Sequence, residues 1–206
     1  MKICYISNNS IPSHVPSSLQ IIKTCEYLSK NRNHVTLIIP NTAQSSDTIS
    51  NFYDTKSKFT IIRMLNYKKF PLGLDYYLFS ILSFFKAIKI SELIISRNYF
   101  VIFLCVFFKK NCVIELHQEI SIESRIVNLL YKIFNIFDKK SLVKIICISD
   151  AIKRKYIEDF KIRDIKKIEV LPSGTSLKIK FSKSFETNKL KLGYFGSISS
   201  SKGVSL

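Results

Sequence analysis

The 206-residue chain contains no tryptophan and only five residues each of glycine, proline and cysteine. So little glycine and proline excludes a collagen-like or low-complexity chain. The cysteines are odd in number, widely spaced and without a CxxC pair, and most of them lie in apolar runs or periodic segments. This pattern argues against a disulfide framework and against a metal site, and it predicts reduced core cysteines in a cytosolic protein.

Acidic residues are also scarce, with 15 Asp and Glu against 32 Lys and Arg, which gives a formal net charge of +17. Such a surface attracts phosphates, nucleic acid or an anionic membrane face. The lysines are scattered, and no helix-turn-helix, zinc-finger or RNA-recognition pattern is present, so we expect no specific nucleic-acid partner. A GxSxG elbow and a P-loop are absent too, which argues against a serine hydrolase or an NTPase.

Long hydrophobic runs are lacking. The two most apolar stretches, 78–85 and 99–108, are each about half of the ~20 residues that a membrane-spanning helix needs, and charged residues interrupt the space between them. They predict two buried helices. The N-terminus lacks the apolar length and cleavage site of a signal peptide. Aromatic residues beside lysines, as in 107–110, are typical of contact with anionic lipid, so peripheral attachment at the inner membrane face stays open.

Apolar strands alternate with amphipathic helices along the chain. The predicted strands cover 2–7, 35–39, 59–64, 93–95, 113–116, 143–148 and 168–171, and the predicted helices cover 19–28, 78–88, 99–108, 122–137 and 151–160. Ser17 or Ser18 is the expected N-cap of the first helix, Pro40 the expected end of the second strand, and 41–58 a long loop. This alternation predicts an α/β fold with a doubly wound, mostly parallel, Rossmann-like sheet.

His117 follows the strand 113–116, at the edge where open α/β sheets bind ligands. A histidine there can donate one hydrogen bond and accept another, although it can equally serve only to hold the loop. Glu115 is expected to pack under His117 and to set its tautomer. Glu115, His117 and Glu119 alternate along the chain, which weakly suggests a metal site and more strongly a hydrogen-bonded cluster. Arg97 is expected at the same edge, either to bind a phosphate group or to pair with Glu115.

The domain organisation follows from a change in composition. Residues 1–174 form the predicted Rossmann-like domain, and 175–188 are polar and aperiodic, as in a linker. A further strand and glycine-bounded loop follow in 189–206, too short to form a core. This segment either folds back on the first domain or begins a truncated second one.

Four short motifs, taken in order, resemble the family-4-like retaining glycosyltransferases of the GT-B fold. Met1-Lys2-Ile3 with Asn33-His34-Val35 resembles the family's opening, and Glu115-Leu116-His117 resembles its E-x-H. Val170-Leu171-Pro172-Ser173-Gly174 resembles VIPNG, and 192–203 resemble LGYVGRxxxxKG. The resemblance implies a two-domain enzyme in which the N-terminal domain holds the acceptor and the C-terminal domain holds a nucleotide sugar, without a further cofactor.

The resemblance also implies roles for individual residues. His117 would be catalytic, and Arg97, Glu115 and Glu119 would bind the acceptor. The residues expected to contact the donor are Ser17, Ser18, Gly196, Ser197 and Lys202, with Lys202 neutralising charge on the leaving diphosphate. The chain departs from the family in three ways. Residues 14–18, which contain no glycine, stand where the family has paired glycines after the first strand. Ser197 stands where the family has a loop arginine, and the paired glutamates of the family's second domain are absent from this sequence.

Three functions follow as competing hypotheses. The first is the acceptor-binding part of a glycosyltransferase that acts on a cell-envelope or lipid-linked glycan, inactive as this chain because both walls of the cleft are needed. The second is a non-catalytic half-protein that pairs with a separate C-terminal chain. The third is a basic peripheral membrane-binding module without a role in sugar transfer.

Overall fold

A computed structural model describes residues 1–41, 46–55, 59–66 and 73–174. Seven strands form one sheet in the order β3-β2-β1-β4-β5-β6-β7, and every neighbouring pair is parallel. The strands are β1 Lys2–Ile6, β2 His34–Asn41, β3 Thr60–Asn66, β4 Leu93–Ser96, β5 Cys112–Leu116, β6 Leu142–Cys147 and β7 Ile168–Val170. The predicted doubly wound, Rossmann-like α/β fold is confirmed.

Helices cover both faces of the sheet. They are α1 Pro16–Lys30, α2 Ser46–Tyr53, α3 Leu74–Ile90, α4 Tyr99–Phe107, α5 Ile120–Glu123, α6 Arg125–Ile133 and α7 Asp150–Phe160, with 3-10 turns at Ile136–Asp138 and Ile165–Lys167. One core cluster holds α1 and α2 against the sheet, and a second, larger cluster holds α3, α4, α6 and α7. In β1, Ile3 and Tyr5 belong to the first cluster, whereas Cys4 and Ile6 belong to the second. The unbroken apolar strands are therefore buried on both faces, as their sequences predict.

Three local predictions about the first half of the chain were wrong. The segment expected to be a loop contains α2, which packs through Ile49 and Tyr53. Its Ser, Thr and Asn content favours loops, but this tertiary burial stabilises a helix. The first helix begins at Pro16 after Val15, without a side-chain cap, because proline suits the first turn of a helix. Pro40 lies inside β2, where the register with β3 shifts and a missing N–H is tolerated.

The long helix predicted over 122–137 is interrupted twice. Ser124 has extended backbone between α5 and α6 and caps α6 by accepting a hydrogen bond from the amide of Val127. Asn135 adopts a left-handed conformation with φ 46° and ends the helical stretch. Most of the apolar stripe expected to face the core is exposed, and the buried residues of α6 are Val127 and Tyr131.

The described residues within Met1–Ser173 belong to one compact unit. Among the helices that the structure describes, none is long and apolar enough to cross a membrane. The predicted linker 175–188 and the segment 189–206 lie outside the described residues.

Candidate active site

A cavity of about 260 Å³, lined by residues with polar side chains, opens at the carboxyl ends of β1, β4 and β5. The sheet order reverses between β1 and β4, because β2 and β3 lie on one side of β1 whereas β4 to β7 lie on the other. Open α/β sheets bind ligands at such a switch point, where the loops on either side diverge and leave a crevice. The cavity therefore occupies the position that this topology favours for a binding site.

Glu115 is the centre of the hydrogen-bond network beneath this cavity. It is the last but one residue of β5 and is only 8% exposed. Its Oε2 accepts hydrogen bonds of 2.8 Å from the hydroxyl of Tyr5 and from Nε of Arg97. Nε2 of His117 lies 3.7 Å from the same oxygen, and the imidazole lines the cavity. The alternation of Glu115 and His117 along the chain thus brings both to one point, as predicted.

These contacts decide the charge of the network. Burial by itself would raise the pKa of Glu115, but the neighbouring His117, the Arg97 guanidinium and the Tyr5 hydroxyl outweigh it and hold that pKa below its ordinary value. Burial and the Glu115 carboxylate raise the pKa of Tyr5 well above its usual range, so its hydroxyl stays a donor. Glu115 is therefore an ionised carboxylate that orients a guanidinium and an imidazole toward the cavity. The pairing of Arg97 with Glu115, one of its two predicted roles, is present.

A second network joins β1 to β4 behind the first. The Ser96 hydroxyl donates to the carbonyl of Ile6 at 2.8 Å. The buried amide of Asn98 donates to Asn8 Oδ1 at 2.5 Å and to Ser80 Oγ at 2.7 Å, while its own oxygen caps α4. These bonds fix the two loops that diverge at the switch point, so the cavity walls are held in place before any ligand enters.

The N-terminus of α1 closes one side. Asn9 donates from Nδ2 to Ser17 Oγ at 2.7 Å, and both residues line the cavity. Ser18, also predicted to bind the donor, is fully buried, and its hydroxyl accepts hydrogen bonds from Ser13 and Asn9. Of the two serines, only Ser17 therefore faces the space that a ligand would enter.

Gln118 and Glu123 form the opposite side and were not singled out from the sequence. The hydroxyls of Tyr99 and Tyr156 donate to the Gln118 carbonyl at 2.9 and 2.7 Å, which holds the loop after β5. Although Glu123 is exposed, partial desolvation at the cavity raises its pKa. Hydrogen bonds from Tyr76 and Gln118 lower the pKa but do not outweigh the desolvation. Only the position after a strand end could have pointed to Gln118, because nothing in its residue type is distinctive.

Glu119, a further predicted site residue, does not join this cluster. Glu119 lies beyond the end of β5, and its Oε1 lies 3.4 Å from Nζ of Lys155 on α7. Because the strand ends at Leu116, the two-residue alternation no longer applies at Glu119. Gly196, Ser197 and Lys202 lie outside the described residues. Within the described ranges, no three His, Cys, Asp or Glu side chains are grouped as a metal ion would require.

The cavity offers two carboxylates, one guanidinium, one imidazole and several amides and hydroxyls within a small volume. Carboxylate and amide oxygens accept hydrogen bonds from hydroxyl groups, whereas the guanidinium and imidazole can donate to ring oxygens or phosphate. Such a set suits a polar, polyhydroxylated or phosphorylated ligand better than an apolar one.

No protein-family model matches the chain, and no curated protein matches its sequence. Solved structures do match its fold. A UDP-GlcNAc 2-epimerase from Neisseria meningitidis, bound to UDP-GlcNAc, aligns with a TM-score of 0.52 at 10% identity, over 82% of this chain and 45% of that chain. A glycosyltransferase from Rickettsia africae ESF-5 aligns with a TM-score of 0.48 at 16% identity, over 84% of this chain and 43% of that chain.

At these identities the epimerase match shows a shared fold and nothing of the chemistry. The chain spans less than half the length of either solved structure. The sheet order, the parallel pairing and this structural similarity together establish a Rossmann-like α/β domain.

Proposed function

We propose that this chain is the acceptor-side part of a glycosyltransferase that uses a nucleotide sugar. The observation that carries the proposal is the Tyr5–Glu115–Arg97 network with His117 at the switch-point cavity. It supports the proposal because Glu115 and His117 carry the E-x-H motif of the resemblance, and these two residues converge on one cavity. The family-4-like assignment, the retaining stereochemistry and the transfer itself are parts of this proposal.

In the proposed reaction the acceptor hydroxyl forms a bond to the anomeric carbon of the donor sugar. The bond from that carbon to the diphosphate breaks, the nucleoside diphosphate leaves with the electron pair, and the hydroxyl proton is released. His117 would orient the acceptor beside the reacting carbon, and Arg97 would bind an acceptor oxygen or phosphate while Glu115 holds both. Ser17, Gly196, Ser197 and Lys202 would contact the donor, with Lys202 stabilising the leaving diphosphate.

We assign the acceptor to the cell-envelope or lipid-linked glycans, with the chain at the cytoplasmic face of the membrane. Because the cavity is lined by polar side chains, a lipid-linked acceptor would place its sugar in the cavity and its lipid chain outside it. Glu123 lines the cavity. Its sequence neighbour Ile122 is exposed, and the exposed apolar residues of α6 follow shortly after it in the chain. A lipid-linked acceptor therefore fits the surroundings better than a free sugar does.

Binding to the 206-residue chain tests the acceptor assignment. The probe is a short-chain polyprenyl diphosphate sugar, titrated while the imidazole signals of His117 are followed by NMR. We expect the signals to shift on binding and the shift to disappear in Arg97→Ala, whereas the exposed Arg154→Ala on α7 serves as the matched control. Binding that is unchanged in Arg97→Ala, or no binding by the folded wild-type chain, would overturn the acceptor-side assignment.

Transfer assays test the enzymatic part. The chain alone is incubated with membrane lipids and a panel of radiolabelled nucleotide sugars. We expect no incorporation, because transfer needs both walls of the cleft and the described residues supply the proposed acceptor wall. Adding a separate GT-B donor domain is expected to give incorporation that His117→Ala abolishes. Equal incorporation with and without the His117 side chain would refute its catalytic role.

A second candidate is a non-catalytic half-protein that pairs with a separate C-terminal chain. Co-expression with a donor-domain chain, followed by light scattering, distinguishes the two. A stable one-to-one complex without incorporation supports the second candidate, and incorporation by the complex supports the first.

A further inference from the structure

A band of exposed apolar residues lies on α4, on α6 and on the turns that follow them, and none of these residues lines the candidate active site. We define it by six exposed residues of α4 and α6 and the turns that follow these helices: Phe107, Phe108, Ile126, Leu129, Ile133 and Phe134. Phe107 is 61% exposed, Ile126 66% and Ile133 62%. Single exposed apolar residues are ordinary, whereas a contiguous group marks an interaction surface.

Ring contacts join the aromatic residues of the band. The ring centroids of Phe107 and Phe108 are 5.4 Å apart, and Phe103 bridges the band with its centroid 6.2 Å from Phe107 and 5.7 Å from Phe134. Phe108 also lies 5.9 Å from Phe85, which is exposed on α3. Aromatic residues of α3 and α4 therefore form one apolar group with Phe134, which directly follows α6.

The helix α6 presents its apolar side to solvent and not to the core. Ile126, Leu129 and Ile133 are spaced by three and four residues, which places them on one stripe of the helix. The core side of the same helix is Val127 and Tyr131, and the Tyr131 hydroxyl is anchored on the carbonyl of Tyr99 at 2.8 Å. The helix is thus fixed to the domain while a strongly apolar stripe remains outside, as in helices that lie in a membrane interface.

Lysines border the band. A groove of about 580 Å³ is lined by Phe107 and Phe134 of the band and also by Lys109, Lys139 and Lys140. These three lysines are exposed, and 99–114 and 124–137 contain no acidic residue. The acid next to this rim is Asp138, whose Oδ1 accepts a hydrogen bond from the Arg163 amide.

We propose that the apolar band and its lysine rim dock the domain on an anionic lipid bilayer. Aromatic and aliphatic side chains would enter the interface, and the lysines would extend their charged ends to the headgroups. Charge decides between a bilayer and a second copy of the chain. Two copies meeting through this surface would bring their lysine rims together, whereas an anionic leaflet attracts each rim. The inference concerns lipid binding alone and stands whether or not the chain transfers sugar.

Sedimentation with vesicles of phosphatidylglycerol and phosphatidylcholine tests the proposal. We expect binding at low salt that weakens as salt rises. The triple variant Ile126→Gln, Leu129→Gln, Ile133→Gln should bind at least about tenfold more weakly, because it removes the apolar stripe that enters the interface. These residues are exposed and glutamine is a good helix former, so the variant should fold. Tyr27→Gln, 68% exposed on α1, is the matched control and should bind like wild type.

A charge variant separates the rim from the net charge of the whole chain. Lys109→Glu with Lys140→Glu is expected to weaken binding by about tenfold or more, since each lysine near an anionic surface contributes appreciably. Arg154→Glu with Lys166→Glu changes the net charge equally, at exposed positions outside the band and its rim, and should have a smaller effect. Equal losses in the two double variants, unchanged binding in the glutamine variant, or dimers on light scattering with no vesicle binding would each overturn the proposal.

Discussion

Replacing Glu115 by alanine tests the network on which the candidate site depends. The substitution leaves the Arg97 guanidinium without the carboxylate 2.8 Å away and leaves the buried Tyr5 hydroxyl without its acceptor. Removing one member of a buried ion pair costs about 3–5 kcal/mol, and an unsatisfied buried hydroxyl costs about 1–3 kcal/mol. The two effects share one carboxylate and do not add fully, and the Arg97 side chain is 18% exposed, which lets water relieve part of the cost.

We therefore expect the free energy of unfolding to fall by about 3–5 kcal/mol in Glu115→Ala. Urea denaturation followed by circular dichroism measures this change as a midpoint shift of about 1–2 M, for an m-value near the upper end of the usual range. Glu115→Gln keeps an acceptor oxygen for Tyr5 but loses the charge, so a smaller loss of about 1–3 kcal/mol is expected. This second variant remains informative if the alanine variant does not fold.

The matched control is Glu169→Ala on β7. Glu169 also carries an ion pair, with Lys144 at 3.2 Å, but both side chains are about half exposed. Its loss is expected to cost less than about 1 kcal/mol, because water screens the pair. If Glu115→Ala destabilises the protein no more than Glu169→Ala does, the buried Tyr5–Glu115–Arg97 network does not form in solution and the reasoning is refuted.

Three further predictions concern pH, capping and thiol reactivity. Because the pKa of Glu115 is lowered in the folded state, the carboxylate stabilises the fold above its ordinary pKa of 4.5, and this contribution is lost as pH falls through the lowered pKa. The stability difference between wild type and Glu115→Gln should therefore shrink on acidification, and a difference that grows would contradict the prediction. Asn98→Ala removes the cap of α4 and the amide donor to Asn8 Oδ1 and Ser80 Oγ, so the free energy of unfolding should fall by about 1–3 kcal/mol in thermal or urea melts. A fall below about 0.5 kcal/mol would exclude the buried network. All five cysteines are buried, and burial raises the pKa of Cys4 to about 12. Ellman's reagent at pH 8 should therefore label no cysteine in the native protein and five after denaturation, and rapid labelling of the native protein would show that the core is open.

The loops and helix ends show where sequence patterns mislead. The segment containing α2 is rich in residues that favour turns, yet Tyr53 packs in the core and exchanges hydrogen bonds with the backbone of Ser13 at 2.7 and 2.8 Å. The break at Ser124 depends on a cap that also contacts the Tyr77 hydroxyl at 3.1 Å. Both outcomes depend on partners far away in the sequence, and local propensity carries no information about such partners.

The candidate site was predicted in part. A histidine and a glutamate two residues apart at the end of an apolar strand pointed to the carboxyl edge, and Arg97 after β4 pointed to the same edge. Tyr5 was not distinguishable from any other core aromatic, and Glu119 was misplaced because the strand ends before it. Asn98 joins the site only because β4 pairs with β1, and a pairing partner cannot be read from a strand alone.

The sequence by itself determined the alternation of strands and helices, the burial of the strands on both faces, and hence the parallel sheet, because hydrophobic periodicity is a local property of the chain. Only the tertiary structure decided which strands are neighbours, which side of α6 faces the core, and which polar side chains meet at Glu115. Each of these outcomes depends on which apolar surfaces the whole domain buries. An apolar stripe on a helix indicates that one side is apolar, but the packing of the whole domain decides whether that side is buried or exposed.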